Sequence, residues 1–93
     1  MKLNKEWFRM LNEPIANEEY NALEKTLSSC TGDEGFYVEC LQCEINYEMD
    51  FLRAKELLDV LCANAIIRVE YDPPEFLNGS KIAVPTARYF ISV

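Results

Sequence analysis

The chain has 93 residues, an apolar fraction of 49% and a formal net charge of −7. That is too apolar for a disordered chain and enough for one modest core, so a single domain spanning residues 1–93 is expected. No apolar run approaches the roughly 18 to 20 residues of a membrane span, and the charged opening stretch MKLNKEWFRMLNEP lacks the uninterrupted apolar run of a secretory signal, which implies a soluble, cytoplasmic protein.

Leu3, Trp7 and Leu11 recur at helical spacing, with Phe8 and Met10 beside them. The pattern predicts a short amphipathic helix within residues 1–14, ended by Pro14. Asn17 suits an N-cap, and Glu18 and Glu19 follow in the first turn, where acids complement the helix dipole. Tyr20, Leu23 and Leu27 then line one face, and the helix should stop near residues 28–30, before Thr31-Gly32-Asp33.

Residues 36–45 carry two periodicities. Phe36, Val38 and Cys40 alternate like a strand, whereas Val38, Leu41 and Ile45 recur like a helix. A helix entered through a few extended residues is the expectation. Asp50 is the next N-cap candidate. Beyond it Ala54, Leu57, Leu58 and Leu61 form a helical apolar stripe within Phe51–Ala63. Asn64 is the residue expected to take the left-handed conformation that ends the helix. Ile66 to Tyr71 is β-branched and alternating, and predicts a strand broken by Asp72-Pro73-Pro74. A polar loop with Asn78-Gly79-Ser80 follows, and Thr86 to Val93 predicts a second strand, antiparallel to the first.

The order helix, turn, helix, strand, loop, strand resembles a winged helix. The stretch FLRAKELLDVLCANAIIRVEYD carries the likeness: an L-x-x-L closes a helix, and a small turn leads into an I-I-x-V strand. PTARYFISV is similar to the returning wing strand. The resemblance covers residues 17–93. It implies an α+β fold, a small winged-helix-like domain with a two-stranded β wing, here with an extra N-terminal helix. The family most often binds DNA through the helix that precedes the wing. Carried onto this chain, that would make Arg53, Lys55, Lys81 and Arg88 the DNA contacts. Asp50, Glu56 and Asp59 on the same helix have the wrong sign for phosphates.

The pair Cys40 and Cys43 has the C-x-x-C spacing of metal knuckles and redox motifs. A structural zinc site needs four thiolate or imidazole ligands, yet there is no histidine, and Cys30 and Cys62 do not form a second close pair. A reactive pair needs a depressed thiol pKa, and the flanking Glu39 and Glu44 favour the neutral thiol. Cys40 and Cys43 are therefore expected to be small buried residues. No motif points to a catalytic residue, a cofactor or a metal, and no enzyme is expected, although carboxylate pairs are assembled by folds rather than by motifs.

Charge separates the remaining functions. Between Glu13 and Asp50 ten acids stand against Lys25 alone, a local charge of −9 that leaves +2 elsewhere. Scattered acids can simply solvate a surface. They can also meet a basic protein partner, and would repel nucleic acid. The first expectation is a non-enzymatic protein-binding module, an adaptor or inhibitor, whose face comprises Glu18, Glu19, Glu39, Glu44, Glu48 and Asp50. An inhibitor of that kind is typical of phage or mobile-element proteins that block a host nucleic-acid-binding factor. The alternative is a dimeric winged-helix transcriptional regulator, and a third, a small enzyme or redox protein, would rest on Cys40 and Cys43. Trp7, Phe8 and Leu11 either cap the core or provide a homodimer contact, since exposed aromatics are enriched at interfaces.

Overall fold

The computed structural model describes residues 3–29, 33–45, 49–72 and 86–92, and the backbone alone of 76–77 and 80–81. Among these, three α-helices and paired antiparallel strands form a small α+β domain. The chain opens with a 3-10 turn at Lys5–Phe8 and continues through α1 (Asn17–Ser29), α2 (Val38–Cys43) and α3 (Phe51–Ala63). The strands follow: β1 (Ile67–Asp72), β2 (Phe76–Leu77), β3 (Ser80–Lys81) and β4 (Thr86–Ile91).

The N-terminal amphipathic helix expected within residues 1–14 is reduced to that 3-10 turn. The reason lies in the hydrogen bonds. Tyr20 Oη donates to the Leu3 carbonyl at 2.7 Å, which takes the acceptor that an α-helical Trp7 N–H would use. Trp7 N donates instead to Asn4 O at 3.1 Å, and the Asn4 side chain accepts from Glu6 N at 2.9 Å. The turn is docked on α1, where Lys5 Nζ donates to Asn17 Oδ1 at 3.0 Å and stands over the Tyr20 ring.

Asn17 is the first residue of α1 and not its N-cap. Ala16 holds the cap position: its carbonyl accepts from Tyr20 N at 3.0 Å, and its N–H donates to Glu19 Oε1 at 2.9 Å. Glu19 thereby supplies the acidic half of a capping box, reaching back to the cap N–H. Leu23 and Leu27 bury the inner face, as expected, with Ala22 and Thr26 beside them.

Both periodicities of residues 36–45 are used in turn. Phe36 is extended and exchanges two hydrogen bonds with Tyr89, each 2.8 Å, and Val38 then starts α2. The approach requires Gly35, whose φ is +74°; a Cβ there would lie 2.6 Å from the Tyr89 carbonyl oxygen. Helix α3 forms where expected. Asp50 caps it, its carboxylate accepting from Leu52 N at 3.0 Å and Arg53 N at 3.3 Å. Ala54, Leu57, Leu58 and Leu61 are fully buried.

Strands β1 and β4 pair in antiparallel register from Ile67↔Ile91 to Asp72↔Thr86, and β2 pairs with β3. The spatial order is therefore the Phe36 segment, β4, β1. The core lies between this sheet and the helices, with Tyr89, Phe36 and Phe8 the largest side chains wholly inside it. Tyr89 stacks on Phe36, ring centroids 5.7 Å apart, and burial, followed by nearby Asp59, pushes its hydroxyl pKa up to about 12.

The left-handed residue after α3 is Ala65, with φ +59°, whereas Asn64 has φ −100°. Asn64 turns its amide back, Nδ2 donating to Val60 O at 2.8 Å. Ala65 N donates to Cys62 O and Ile66 N to Leu61 O, the two bonds of a Schellman cap. Alanine holds this conformation at a steric cost that glycine lacks. Ala65→Gly is expected to raise stability by about 0.5 to 1 kcal/mol, read as a higher urea midpoint with an unchanged m-value.

Candidate functional site

The strongest polar feature is a clasp between α1 and α3. Arg53 Nε donates to Glu19 Oε2 at 2.8 Å, and Arg53 Nη2 to Glu19 Oε1 at 3.0 Å, a two-pronged carboxylate grip. The two Nη nitrogens make further contacts. Nη2 reaches the carbonyls of Glu13 at 3.1 Å and Pro14 at 3.2 Å, and Nη1 reaches Glu56 at 2.7 Å. Glu19 is only 7% exposed. Its pKa is held below the ordinary carboxylate value, first by the Arg53 hydrogen bond and against the opposing effect of burial. The Arg53 pKa is raised by the same contact. Glu19 and Arg53, expected on a partner face and a DNA face respectively, are thus internal and bound to each other.

A second arginine is also turned inward. Arg88 on β4 donates to Asp72 Oδ2 through Nη2 at 3.0 Å and to Glu34 O through Nη1 at 3.1 Å. Its guanidinium lies over the Tyr37 ring, 5.1 Å from the centroid, and Nη2 also donates to Tyr37 Oη at 2.6 Å. Tyr37 Oη in turn donates to Asp72 Oδ2 at 2.8 Å. That bond lowers the Asp72 pKa and raises that of Tyr37. The network joins the entry to α2 to both long strands. Of the other cations read as DNA contacts, Lys55 is half-buried and pairs with Asp59 at 3.5 Å, and the Lys81 side chain lies outside the described residues.

The acids divide. Glu18 and Glu39 are exposed, and Glu44 is half-buried. Glu18 and Glu44 meet across a notch of about 90 Å³ with Lys25 and Asn21 at its edge. Asp50 is exposed but committed to capping α3, and Glu48 lies outside the described residues. Glu39 belongs to a different depression, a groove of about 300 Å³ between the start of α2, the start of α3 and the sheet. Tyr37, Val38, Phe51, Tyr71, Ala87 and Tyr89 give it mostly apolar walls, with Lys55 at its rim. Phe51 is 47% and Tyr71 62% exposed there. Sequence reasoning missed this groove because its walls come from four separate segments. The one local signal was a large aromatic at the first position of α3.

The N-terminal aromatics pack inward. Phe8 is fully buried, and Trp7 and Leu11 are half-buried against the core, which takes Phe8 out of any homodimer contact. Cys43 is exposed and Cys40 half-buried, so the pair is less enclosed than expected: the six-residue helix α2 turns Val38 and Leu41 into the core instead. Cys62 is half-buried, and burial followed by nearby Asp59 pushes its thiol pKa up, away from thiolate reactivity. Cys30 lies outside the described residues. Among the described residues no three His, Cys, Asp or Glu side chains come together as a metal site, and no helix is long and apolar enough to cross a membrane.

No family model, curated protein or solved structure matches this chain.

The clasp has a pH signature. Because the Glu19 pKa is lowered in the folded chain, its stabilisation is complete above the ordinary value of 4.5 and is lost as pH falls through the folded value. Glu19→Gln should cost about 2 to 3 kcal/mol at neutral pH, since it leaves Arg53 half-paired. The variant should also flatten the fall in stability below about pH 4.5, measured by urea unfolding at stepped pH.

Proposed function

We propose that the chain is a winged-helix-like, non-enzymatic protein-binding domain. It acts as an adaptor or inhibitor that presents acids to a partner protein with a basic surface. The observation that carries this is the fate of the two arginines. Arg53 and Arg88 are hydrogen-bonded within the domain, while Glu18 and Glu39 stand exposed. A helix offered to DNA needs free cations, because affinity for the phosphate backbone comes largely from Lys and Arg releasing counterions. What α3 leaves at the surface is Phe51, Leu52, Glu56 and Asp59, with Lys55 half-buried and paired.

The winged-helix part of this reading is supported by topology. A short extended segment at Phe36 sits between α1 and α2 and pairs with β4, and β4 pairs with β1 across the β2–β3 hairpin. The protein-binding part is supported by the groove. Exposed aromatics beside a concave apolar wall are the kind of anchor site where interfaces concentrate their energy. Of the six expected acids three remain available, Glu18 and Glu44 at the small notch and Glu39 at the apolar groove. Glu19 is inside, Asp50 is a cap, and Glu48 is undescribed.

Two measurements test the proposal together. Anisotropy with a labelled mixed-sequence duplex at about 50 mM salt should show no salt-sensitive complex; a complex that weakens steeply towards about 200 mM would favour the regulator instead. Affinity capture from the producing cells should retain a basic protein on the native domain. The triple variant Glu18→Lys, Glu39→Lys, Glu44→Lys should lose it by about tenfold or more. Undiminished capture by the triple variant would remove the acidic face from the proposal.

A further inference from the structure

The β1–β4 ladder leaves one edge of β1 open, and its pattern can be worked out residue by residue. Tyr89 exchanges both of its backbone bonds with Phe36, so its polar groups point away from β1. In an antiparallel pair the hydrogen-bonded positions alternate. Arg88 and Phe90 therefore carry the bonds to Glu70 and Arg68, and Ser92 N donating to Ile66 O at 3.0 Å continues the series. The N–H and C=O groups of Ile67, Val69 and Tyr71 consequently face outward, and among the described residues none of them has a hydrogen-bond partner. An open strand edge is a template for another strand, and proteins commonly block one with proline, a bulge, a cover or charged side chains; here the charges are Arg68 and Glu70, of opposite sign, so they bar a like-charged register and favour one that sets each against the other. Between Ile67 and Asp72 there is no proline.

We propose that this edge is the interface with a second copy of the same chain, β1 pairing antiparallel with β1 about a two-fold axis at Val69. Charge selects this occupant and this register. With Val69 opposite Val69 of the second copy, the outward groups of Ile67, Val69 and Tyr71 fall in hydrogen-bonded pairs. Arg68 faces Glu70 of the second copy, and Glu70 faces Arg68 of the second copy. These are non-hydrogen-bonded positions, where opposed side chains stand closest. A slip of two residues one way sets Glu70 against Glu70, and the other way sets Arg68 against Arg68. A slip of one moves the outward groups out of bonding position. Arg68 and Glu70 are 54% and 58% exposed and already turned towards each other at 3.0 Å within the chain, so they can exchange partners without unfolding. The interface is isologous, as a two-fold dimer requires.

The test uses the full chain in sedimentation velocity from micromolar to millimolar concentration, at about 0.15 M salt to screen the like net charges. The native chain should associate to a dimer. Arg68→Glu and Glu70→Arg each create two like-charge oppositions and should weaken the dimer by about tenfold or more. The doubly exchanged chain carrying both substitutions should regain it. An equimolar mixture of the two single variants should form a heterodimer, because two acids at positions 68 and 70 of one strand then face two bases at the same positions of the other. Amide exchange at Ile67, Val69 and Tyr71 should slow with concentration. A chain that stays monomeric throughout would overturn the assignment and leave the edge to a strand of another protein. A dimer indifferent to the single variants would overturn it equally, since its interface would lie elsewhere. Circular dichroism of the variants checks that these exposed substitutions leave the fold intact.

Discussion

The grip of Arg53 on Glu19 is the constraint on which most of the surface depends. It ties the first turn of α1 to the first turns of α3, 34 residues apart, and reaches the backbone at Glu13 and Pro14 as well. A guanidinium largely withdrawn from water needs partners, because an unpaired buried charge costs several kcal/mol. All three guanidinium nitrogens take part, a task for which arginine's planar fork is suited and lysine's ammonium is not. The consequence is electrostatic. Of the two cations near the start of α3, Arg53 is engaged within the domain and Lys55 is half-buried and paired with Asp59.

The same logic recurs at the sheet. Arg88 is held by Asp72, the Tyr37 hydroxyl and the Glu34 carbonyl, so the entry to α2 is locked against both long strands. That lock lies beside the Phe36–Tyr89 exchange, which in turn requires a residue without a side chain at Gly35. Three short-range requirements converge: a glycine for close approach, an aromatic stack, and an arginine over a tyrosine. Together they turn residues 33–37, which contain no regular element, into a third strip of the sheet. They also form one wall of the apolar groove, between Tyr37 and Tyr89.

Legibility in the sequence followed the range of the interaction. The stripe of Ala54, Leu57, Leu58 and Leu61 gave α3 because helical spacing is local, and the alternation in Ile66 to Tyr71 gave β1 for the same reason. The Phe36 segment was legible only as an ambiguity, resolved once Tyr89, 53 positions away in the chain, was found to pair with it. The N-terminal helix failed because Tyr20 takes the Leu3 carbonyl, a contact that spacing within residues 1–14 cannot reveal. Asn64 is the residue type suited to the left-handed position, but the register of the Schellman cap puts Ala65 there. The site residues were the least legible. Glu19 stands at helical spacing with the buried Ala22, Leu23, Thr26 and Leu27, which separates it from Glu18, but nothing local marks Arg53 as its partner; that needs the packing of α1 on α3. The outer edge of β1 needed the opposite pairing of Tyr89 before its free groups could be assigned.

A double-mutant cycle on Glu19→Gln and Arg53→Met, followed by urea unfolding at neutral pH, tests the central claim most directly. An internal clasp predicts a coupling of about 1 to 3 kcal/mol, with the double variant more stable than the sum of the two losses implies. Losses that add to within about 0.5 kcal/mol would mean that the two groups do not hold each other, and would return Arg53 to the surface as a free cation.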